Sequence, residues 1–344
     1  MKIGIMGLKG SGKTTIFNSL TGLAAKTGGY SSEQEVNLGL IKVPDDRIDI
    51  LSRIFDPKKT TYSEITFADM AAPMEEKFSP RILERLRYMD ALVLVIRGFD
   101  RGIESIQPLE DVTTLHGELI FSDFAIADKS LVRLRKEHKD PRLMQIMERI
   151  HTFLEEEKPL RLLELDEADY KHIAGFAFMS LKPAMVIVNI PESGFDERLY
   201  APIQEYCQNN RMRFMHIMGS LEEEISQLSP DEQITFLHEM GIAESARNKF
   251  IREGYALMDL ISFFTVGKDE VRSWAISRGT PAVKAAGKIH SDLERGFIRA
   301  EVVPYDDFLH CQSMAEVKKK GLMRLEGKDY PVQDGDIINF RFNV

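Results

Sequence analysis

The sequence predicts an α/β fold in which a parallel sheet wrapped by helices carries an inserted helical hairpin and is followed by a small α+β domain. Three observations support this prediction. Short apolar runs alternate with amphipathic stretches in the N-terminal part and again after residue 182, which is typical of a parallel sheet covered by helices. The stretch between them has helical periodicity without any strand-like run. The C-terminal part returns to short apolar runs separated by turn residues.

Buried parallel strands are rich in Val, Ile, Met and Phe, and several segments of the chain have this composition. The predicted strands are Lys2–Met6, Leu38–Val43, Glu64–Asp69, Ala91–Ile96, Ala184–Asn189 and Phe214–Met218. Helices are predicted between them at Arg47–Phe55, Pro80–Met89 and Glu197–Asn209. These elements define a nucleotide-binding type of domain formed by residues 1–107 and 182–260.

Residues 108–181 are predicted to form an antiparallel helical hairpin. Apolar residues recur at helical spacing from Leu115 to Leu134, and the pattern resumes after the Asp140-Pro141 break. The turn is therefore expected near residues 138–142. From residue 261 onwards, the strand-like runs Phe263–Val266, Ile298–Val303 and Ile337–Phe342 predict a separate α+β domain at 261–344.

Composition excludes several classes of protein. The chain has 344 residues and a net charge of −9, which argues against a wholly cationic nucleic-acid binder, so no DNA partner is expected. Its two cysteines, Cys207 and Cys311, are far apart, which excludes a disulfide scaffold and a cysteine-built zinc site. No apolar run approaches the length of a membrane span. We therefore expect a soluble cytoplasmic protein without a membrane partner.

The strongest motif is Gly7-Leu8-Lys9-Gly10-Ser11-Gly12-Lys13-Thr14, which fits the phosphate-binding pattern G-x-x-x-x-G-K-[ST]. A predicted strand precedes it and a predicted helix follows it, as the motif requires. Its glycines let backbone N–H groups turn towards phosphate oxygens at the N-terminus of the helix. Lys13 is expected to neutralise β- and γ-phosphate charge, and the Thr14 hydroxyl to bind Mg²⁺.

Two further strand ends carry candidate groups. Asp69 ends an apolar strand, where it is expected to support Mg²⁺, although aspartates after strands also serve as turn or cap residues. Asn189-Ile190-Pro191-Glu192 resembles the guanine-reading pattern N-K-x-D, with Ile190 replacing the lysine and Glu192 the aspartate. The longer Glu192 should spoil the paired hydrogen bonds to guanine, so ATP is preferred over GTP. A plain Pro-containing turn is the alternative. Gly219 and Ser220 follow the last strand and could offer N–H groups to the base, or form a simple turn.

These motifs, in this order, make the chain similar to the YchF family (Obg-like ATPases), which belongs to the translation-factor class of P-loop proteins. The resemblance covers essentially the whole chain. It is strongest at Phe264–Gly267, Ala285–Asp292, Gly296–Glu301 and Gln333–Asp336. It implies that the last domain is a β-grasp (TGS) domain, that the hairpin is the family's helical arm, and that Asn189-x-x-Glu192 accompanies ATP preference. It also implies an ATP-binding, ribosome-associated protein.

The chain departs from the family pattern where hydrolysis is controlled. The family's phosphate loop reads G-x-P-N-V-G-K-S, whereas Lys9, Gly10 and Ser11 stand at its centre here. In the first switch, Glu33 stands where the family has its metal-binding threonine. Ser31 and Ser32 are the candidates to take over the role of that threonine. In the second switch, Asp69 is followed by Met70-Ala71-Ala72-Pro73. No histidine lies in Arg97–Asp111, where the family carries one credited with helping hydrolysis.

The sequence therefore supports nucleotide binding more strongly than turnover. One hypothesis is a slow ATPase that controls ribosome association, and the alternative is an ATP-dependent binding switch with little or no turnover. A small-molecule kinase is less favoured because no arginine-rich lid is evident. The residues predicted to bind nucleotide are Gly7, Lys9, Gly10, Ser11, Gly12, Lys13, Thr14, Thr15, Asn189, Ile190, Glu192, Gly219 and Ser220, with Thr14 and Asp69 as the Mg²⁺ ligands.

The tip of the hairpin is predicted to contact ribosomal RNA. Its basic residues could bind phosphates with a salt-sensitive affinity, although a solvated helix end would have the same composition. The candidate RNA-binding residues are Lys129, Arg133, Arg135, Lys136, Lys139 and Arg142. Lys318-Lys319-Lys320 in the last domain is a second, weaker candidate.

Overall fold

The computed structural model describes residues 1–23, 36–70, 79–100, 102, 105–137 and 140–343. The chain divides into two compact units. The first unit contains residues 1–41 and 66–253, and the second contains residues 42–65 and 254–344. The sequence-based boundaries differ from this division because they assigned residues 42–65 and 254–260 to the nucleotide-binding domain. They also set residues 108–181 apart, whereas these residues belong to the first unit.

The strands and helices of the described residues are numbered in chain order. The strands are β1 (Lys2–Gly7), β2 (Val36–Lys42), β3 (Lys59–Thr61), β4 (Glu64–Met70), β5 (Ala91–Arg97), β6 (Ala184–Asn189), β7 (Arg213–Ile217), β8 (Leu260–Thr265), β9 (Glu270–Ser277), β10 (Phe297–Pro304), β11 (Arg324–Glu326) and β12 (Asp336–Phe342). The helices are α1 (Lys13–Thr21), α2 (Asp46–Phe55), α3 (Pro80–Arg87), α4 (Pro108–Glu137), α5 (Pro141–Glu155), α6 (Glu167–Ile173), α7 (Glu197–Asn209), α8 (Gly219–Ser226), α9 (Pro230–Glu239), α10 (Ala246–Leu257), α11 (Ala282–Ile289), α12 (Ser291–Arg295), α13 (Tyr305–Cys311) and α14 (Met314–Lys319).

The first unit is built on a sheet with the strand order β2-β4-β1-β5-β6-β7. β1 is parallel to β4 and β5, β5 is parallel to β6, and β6 is parallel to β7. All residues of β6 are buried, as expected for a strand covered by helices on both faces. Each strand predicted for this sheet is present within a few residues, so the predicted α/β class is confirmed. The carboxyl ends of β1, β4 and β6 lie at one edge, which is where ligands bind in such sheets.

The inserted hairpin consists of α4 and α5. Asp140 caps α5 by accepting a hydrogen bond from the Leu143 N–H at 2.9 Å, and the following proline fits the first helical position. Polar contacts of 3.5 Å join Arg135 to Glu148 and the His151 ring to Asp128. Residues nearer the start of α4 thus lie beside residues nearer the end of α5, which confirms the antiparallel arrangement. At 1.5 Å per residue, α4 is about 45 Å long.

The hairpin is clamped to the sheet domain at the end of α3. The Arg87 guanidinium donates hydrogen bonds to Asp123 Oδ1 at 2.7 Å, to Ser122 Oγ at 2.7 Å and to the Ala177 carbonyl at 3.2 Å. Asp123 is fully buried, and its second oxygen accepts the Ser180 N–H at 2.7 Å. Breaking such a buried pair costs about 3–5 kcal/mol. The base of the hairpin is therefore firmly fixed.

The second unit contains a sheet with the order β11-β10-β12-β8-β9-β3. β12 and β8 are parallel at its centre, and they are flanked by antiparallel β10 and β9. Helix α11 packs its buried alanines on one face. This order and these directions are those of a β-grasp fold. The other face is covered by α2, α13 and α14, while β3 adds to the edge by parallel pairing with β9.

This packing explains why residues 42–65 belong to the second unit. Ile48 and Leu51 of α2 are buried beside Phe264 and Ile337 of the sheet. Both faces of the β-grasp sheet are thereby covered. Within the ranges described above, no helix is long and apolar enough to span a membrane.

Candidate nucleotide-binding site

The loop after β1 follows a path set by two glycines. Gly10 and Gly12 have φ angles of 79° and 82°, in the left-handed region that favours glycine. The Ser11 N–H donates to the Leu8 carbonyl at 3.1 Å, and α1 begins at Lys13. Positive φ angles at alternate residues form a backbone nest, in which successive N–H groups converge on an anion. The start of α1 adds the positive end of its dipole.

No side chain fits at either end of this loop. A Cβ on Gly7 would lie 2.5 Å from the Val95 carbonyl oxygen and 2.7 Å from Ser11 Oγ. A Cβ on Gly12 would lie 2.1 Å from Asn189 Nδ2. Both distances are far inside van der Waals contact, so the two outer glycines of the motif are sterically required.

Lys13, Thr14 and Asp69 form the charged centre of the site. The Thr14 hydroxyl donates to Asp69 Oδ2 at 3.3 Å. Burial lowers the pKa of the Lys13 ammonium, and the Asp69 carboxylate opposes this shift. Burial also raises the pKa of Asp69, while Lys13, Asn37 and Thr14 act in the opposite direction. Burial thus disfavours the charged form of each group, and the opposite charge of the other group favours it.

Asp69 retains an unused oxygen. Its side chain is fully buried, and Oδ1 has no hydrogen-bond partner among the described residues. An unsatisfied buried carboxylate oxygen beside a hydroxyl suits a hard cation such as Mg²⁺, which is commonly held by one or two protein oxygens together with substrate phosphates. Ser11 Oγ is also buried and finds no partner in the described part of the chain. The donor set therefore fits Mg²⁺ next to a phosphate.

Asn189 links the phosphate loop to the next loop of the sheet edge. Its side-chain Nδ2 donates to the Ser11 carbonyl at 3.3 Å, and its Oδ1 accepts the Gly219 N–H at 3.0 Å. Asn189 is 4% exposed. The side chain is therefore a brace between two loops rather than a free contact for the base.

This geometry corrects the expectation for Gly219. Gly219 and Ser220 form the first turn of α8. The Gly219 N–H was predicted to be available to the base, but it is already donated to Asn189. Ser220 is exposed at the same end of the helix, so its hydroxyl and N–H remain candidates for the base edge.

Ile190 and Glu192 have opposite environments. Ile190 is 3% exposed and packs in the apolar core of the first unit. Its side chain anchors the end of β6 and offers almost no surface to a nucleotide, in contrast to its predicted base contact. Glu192 is exposed in the following turn, where its carboxylate is free to reach a ligand.

Three comparisons with known proteins point to the same family. Residues 260–343 match the family model YchF-GTPase_C, described as a protein of unknown function (DUF933). The chain is 38% identical over 360 residues to the Ribosome-binding ATPase YchF of Pasteurella multocida, with 100% of this chain and 99% of that one covered. It is 37% identical over 363 residues to the protein of the same name from Bacillus subtilis, with 99% of each covered.

The chain belongs to the YchF family. The structure of the Schizosaccharomyces pombe YchF GTPase is similar with a TM-score of 0.85 at 26% identity, covering 99% of this chain and 97% of that one. The predicted family and fold class are thereby confirmed. The bacterial relatives are named ATPases and the yeast protein a GTPase. These names therefore do not decide whether this chain prefers adenine or guanine nucleotides.

The basic tip of the YchF arm is smaller than the sequence suggested. Arg142 forms ion pairs with Asp169 and, at 3.2 Å, with Asp166. These carboxylates belong to the start of α6, which folds back against α5. Arg135 pairs with Glu148 at 3.5 Å. Arg142 and Arg135 are therefore engaged within the hairpin, and Lys139 lies outside the described residues.

The remaining predicted cations share one exposed surface of α4. Lys129, Arg133 and Lys136 are exposed and follow one another at helical spacing. No carboxylate lies within 4 Å of their charged groups in the described parts of the hairpin. Phe121, which is 69% exposed, precedes them on α4.

Two residues at this edge of the sheet were not predicted from the sequence, and several predicted switch residues lie outside the described ranges. Asn37 contacts the Asp69 carboxylate, and Tyr200 fixes the loop after β5 by donating to the Gly98 carbonyl at 2.6 Å. Neither residue lies in a recognisable motif. The substituted switch residues Ser31, Ser32 and Glu33 and the Ala71–Pro73 segment lie outside the described residues.

Proposed function

We propose that this YchF chain binds ATP with Mg²⁺ at Gly7–Thr15 and uses the bound nucleotide to control its association with the ribosome. The observation that carries the proposal is the half-buried Lys13 ammonium near the buried Asp69 carboxylate at the end of a glycine-built loop, with one carboxylate oxygen unsatisfied among the described residues. A magnesium triphosphate would complete this arrangement. The names of the relatives, ribosome-binding ATPases, support the ribosome as partner and hence a cytoplasmic location.

Each residue has a separate role in the proposed site. The main-chain N–H groups from Gly10 to Thr15 hold the phosphates, and Lys13 neutralises their charge. Thr14 and Asp69 hold Mg²⁺, which neutralises developing phosphate charge when it is bound. Lys9 is exposed at the rim of the loop, and its positive charge attracts the nucleotide phosphates without direct contact.

We propose that ATP is preferred over GTP, with Glu192 as the residue that disfavours guanine. Guanine recognition needs two parallel hydrogen bonds to one carboxylate, and such a pair tolerates little displacement. The side chain of Glu192 is one methylene longer than that of aspartate and is exposed. Asn189 cannot compensate, because both ends of its amide are occupied by the backbone.

Slow hydrolysis is the favoured reading, and an ATP-dependent binding switch without turnover is the alternative. The absence of histidine from Arg97–Asp111 supports the alternative, because loss of a water-positioning group can cost orders of magnitude in rate. Calorimetric titration with ATP, ADP and GTP in Mg²⁺, followed by phosphate-release assays, distinguishes the two. Phosphate release that Lys13→Ala abolishes supports the ATPase, and tight binding without release supports the switch. Absence of ATP binding would refute both.

We propose that Lys129, Arg133 and Lys136 bind ribosomal RNA. Reversing all three charges to Glu should weaken ribosome association at least about 10-fold and flatten its dependence on salt. The matched control is Lys268→Glu/Lys288→Glu/Lys328→Glu, which reverses three exposed lysines of the second unit outside both candidate RNA-binding sites. Sedimentation with purified ribosomes at several salt concentrations measures both effects. An equal loss in the control would show that total charge, rather than the arm, is responsible.

A further inference from the structure

The β-grasp sheet of the second unit contains a cleft between two of its strands. β12 pairs with β8 at Ile337 and Phe264. β8 ends one residue later at Thr265, whereas β12 continues to Phe342. The segment Asn339–Phe342 therefore has β10 on one side and no strand partner on the other side among the described residues.

A cavity of about 530 Å³ lies against this unpaired edge. Consecutive residues of β12 from Ile337 to Phe342 all line it. Since neighbouring side chains of a strand point to opposite faces of the sheet, a cavity that touches every residue must run along the strand edge. Thr265, Val266 and Glu270 form the opposite wall. The cavity is a slot in the sheet, within the size range of ligand sites.

The slot is lined largely by apolar side chains on both faces of the sheet. On the face that carries α11, the slot is lined by Trp274, Ile289 and Leu293. On the opposite face it is lined by Phe55, Met314 and Met323. Flexible Met side chains adapt readily to different partners. An occupant of the slot would thus place apolar groups on both faces of the sheet.

The charges around the slot are nearly all paired. Glu301 accepts hydrogen bonds from Arg341 Nε at 2.9 Å and from Asn339 Nδ2 at 2.8 Å. Glu270 accepts the Thr61 hydroxyl at 2.6 Å. Lys318 is the lining cation without a carboxylate within 4 Å in the described ranges. The slot therefore suits an occupant with one negative group and otherwise apolar side chains.

We propose that this slot binds an extended peptide segment of a partner protein as an added β-strand. An unpaired strand edge offers main-chain N–H and C=O groups in the spacing of a β-ladder. A bound strand alternates its side chains between the two faces, and both faces here are apolar. Its acidic residue or C-terminal carboxylate is held by Lys318. The proposal does not depend on nucleotide binding in the first unit.

A random octapeptide library displayed on phage, selected on the full chain and counter-selected on Met323→Glu, tests this proposal. We expect enriched peptides with apolar side chains and one acidic group, whose affinity falls at least 10-fold in Met323→Glu and in Leu293→Arg. Ile298→Arg is the matched control, because Ile298 is 57% exposed and does not line the slot. It should bind as the parent does. Thermal melting of each variant verifies its folding.

Two further measurements identify the binding mode. N-methylation of alternate peptide amides should abolish binding, and hydrogen exchange should show new protection at residues 339–342 of the full chain. The proposal is overturned if no peptide is enriched over the counter-selection, if N-methylated peptides bind equally, or if protection arises elsewhere. Binding of an RNA oligonucleotide that Met323→Glu removes, without any peptide enrichment, would likewise overturn it in favour of a nucleic-acid groove.

Discussion

The loop after β1 and the loop after β6 lie at the same edge of the sheet, but they differ in how much of their chemistry is fixed before a ligand arrives. The phosphate loop is held by two left-handed glycines and by the Asn189 brace. Its Asp69 carboxylate is buried, its Lys13 side chain is half-buried, and the two opposite charges favour each other's charged form. The base side offers exposed Glu192 beside a buried Ile190. Phosphate binding is therefore preorganised, whereas base selection rests on a solvent-exposed side chain.

This difference separates affinity from specificity. Preorganised donors lose little entropy on binding and supply most of the affinity. An exposed carboxylate contributes less, because water competes for it and its rotamers must be ordered. Changes on the phosphate side should therefore affect ATP and GTP alike, and changes on the base side should affect their ratio.

The largest effect is expected for Lys13→Ala. Loss of a charge-assisted contact to phosphate should weaken ATP binding about 100-fold, equivalent to about 2.7 kcal/mol. Lys9→Ala, in the same loop but exposed, is the matched control and should change the affinity less than about 3-fold. Calorimetric titration with ATP and Mg²⁺ measures both. Equal losses would mean that the loop acts through general charge.

Asn189→Ala should come next. It leaves the Ser11 carbonyl and the Gly219 N–H unpaired in a buried site, so we expect the free energy of unfolding to fall by about 2–3 kcal/mol. ATP and GTP affinities should fall by the same factor, because the brace supports the phosphate loop. Urea unfolding and nucleotide titration test the two expectations.

Asn210→Ala provides the control for this change. Asn210 also bonds to a backbone carbonyl, that of Tyr206 at 2.9 Å, but at the end of α7. It should leave nucleotide affinity unchanged. A change in the ATP:GTP ratio with Asn189→Ala would contradict the assignment of Asn189 to the phosphate side.

The smallest expected effect is that of Glu192→Asp. Shortening the side chain should move the ATP:GTP affinity ratio towards GTP by no more than about 10-fold, without a change in unfolding free energy, because Glu192 is exposed. Competition between labelled ATP and unlabelled GTP measures the ratio. An unchanged ratio would remove Glu192 from base selection.

Ile190→Lys is unsuitable for combination with Glu192→Asp as a test of base selection. Since Ile190 is buried in the core, lysine there would place an ammonium group among apolar side chains and destabilise the fold. Its effect on the nucleotide ratio would be obscured by unfolding.

Local patterns predicted the parts of the fold that local chemistry determines. The phosphate loop, the apolar strands and the Asp140-Pro141 turn each have a sequence signal within a few residues. β3 was missed because Lys59–Thr61 is short and polar, and it pairs with Glu270–Arg272 across a long stretch of chain. The slot beside β12 was missed because it depends on where β8 ends relative to a distant strand.

Site residues were predicted by type better than by role. Asn189 was identified from its motif, but its bonds to Ser11 and Gly219 depend on how two loops approach each other. Arg142 was counted as a free cation because its partners Asp166 and Asp169 reach it only after α6 folds back. Tertiary contacts therefore decide which charges remain available for a partner.

The central claim is that main-chain amides at the start of α1, together with Lys13, grip a nucleoside triphosphate. A crystal structure of the full chain with a non-hydrolysable ATP analogue and Mg²⁺ tests it most directly. We expect the phosphates within hydrogen-bond distance of the amides from Gly10 to Thr15 and of Lys13 Nζ, with Mg²⁺ bound by Thr14 and supported by Asp69. An empty loop with Lys13 turned into solvent, or a nucleotide bound elsewhere, would contradict it.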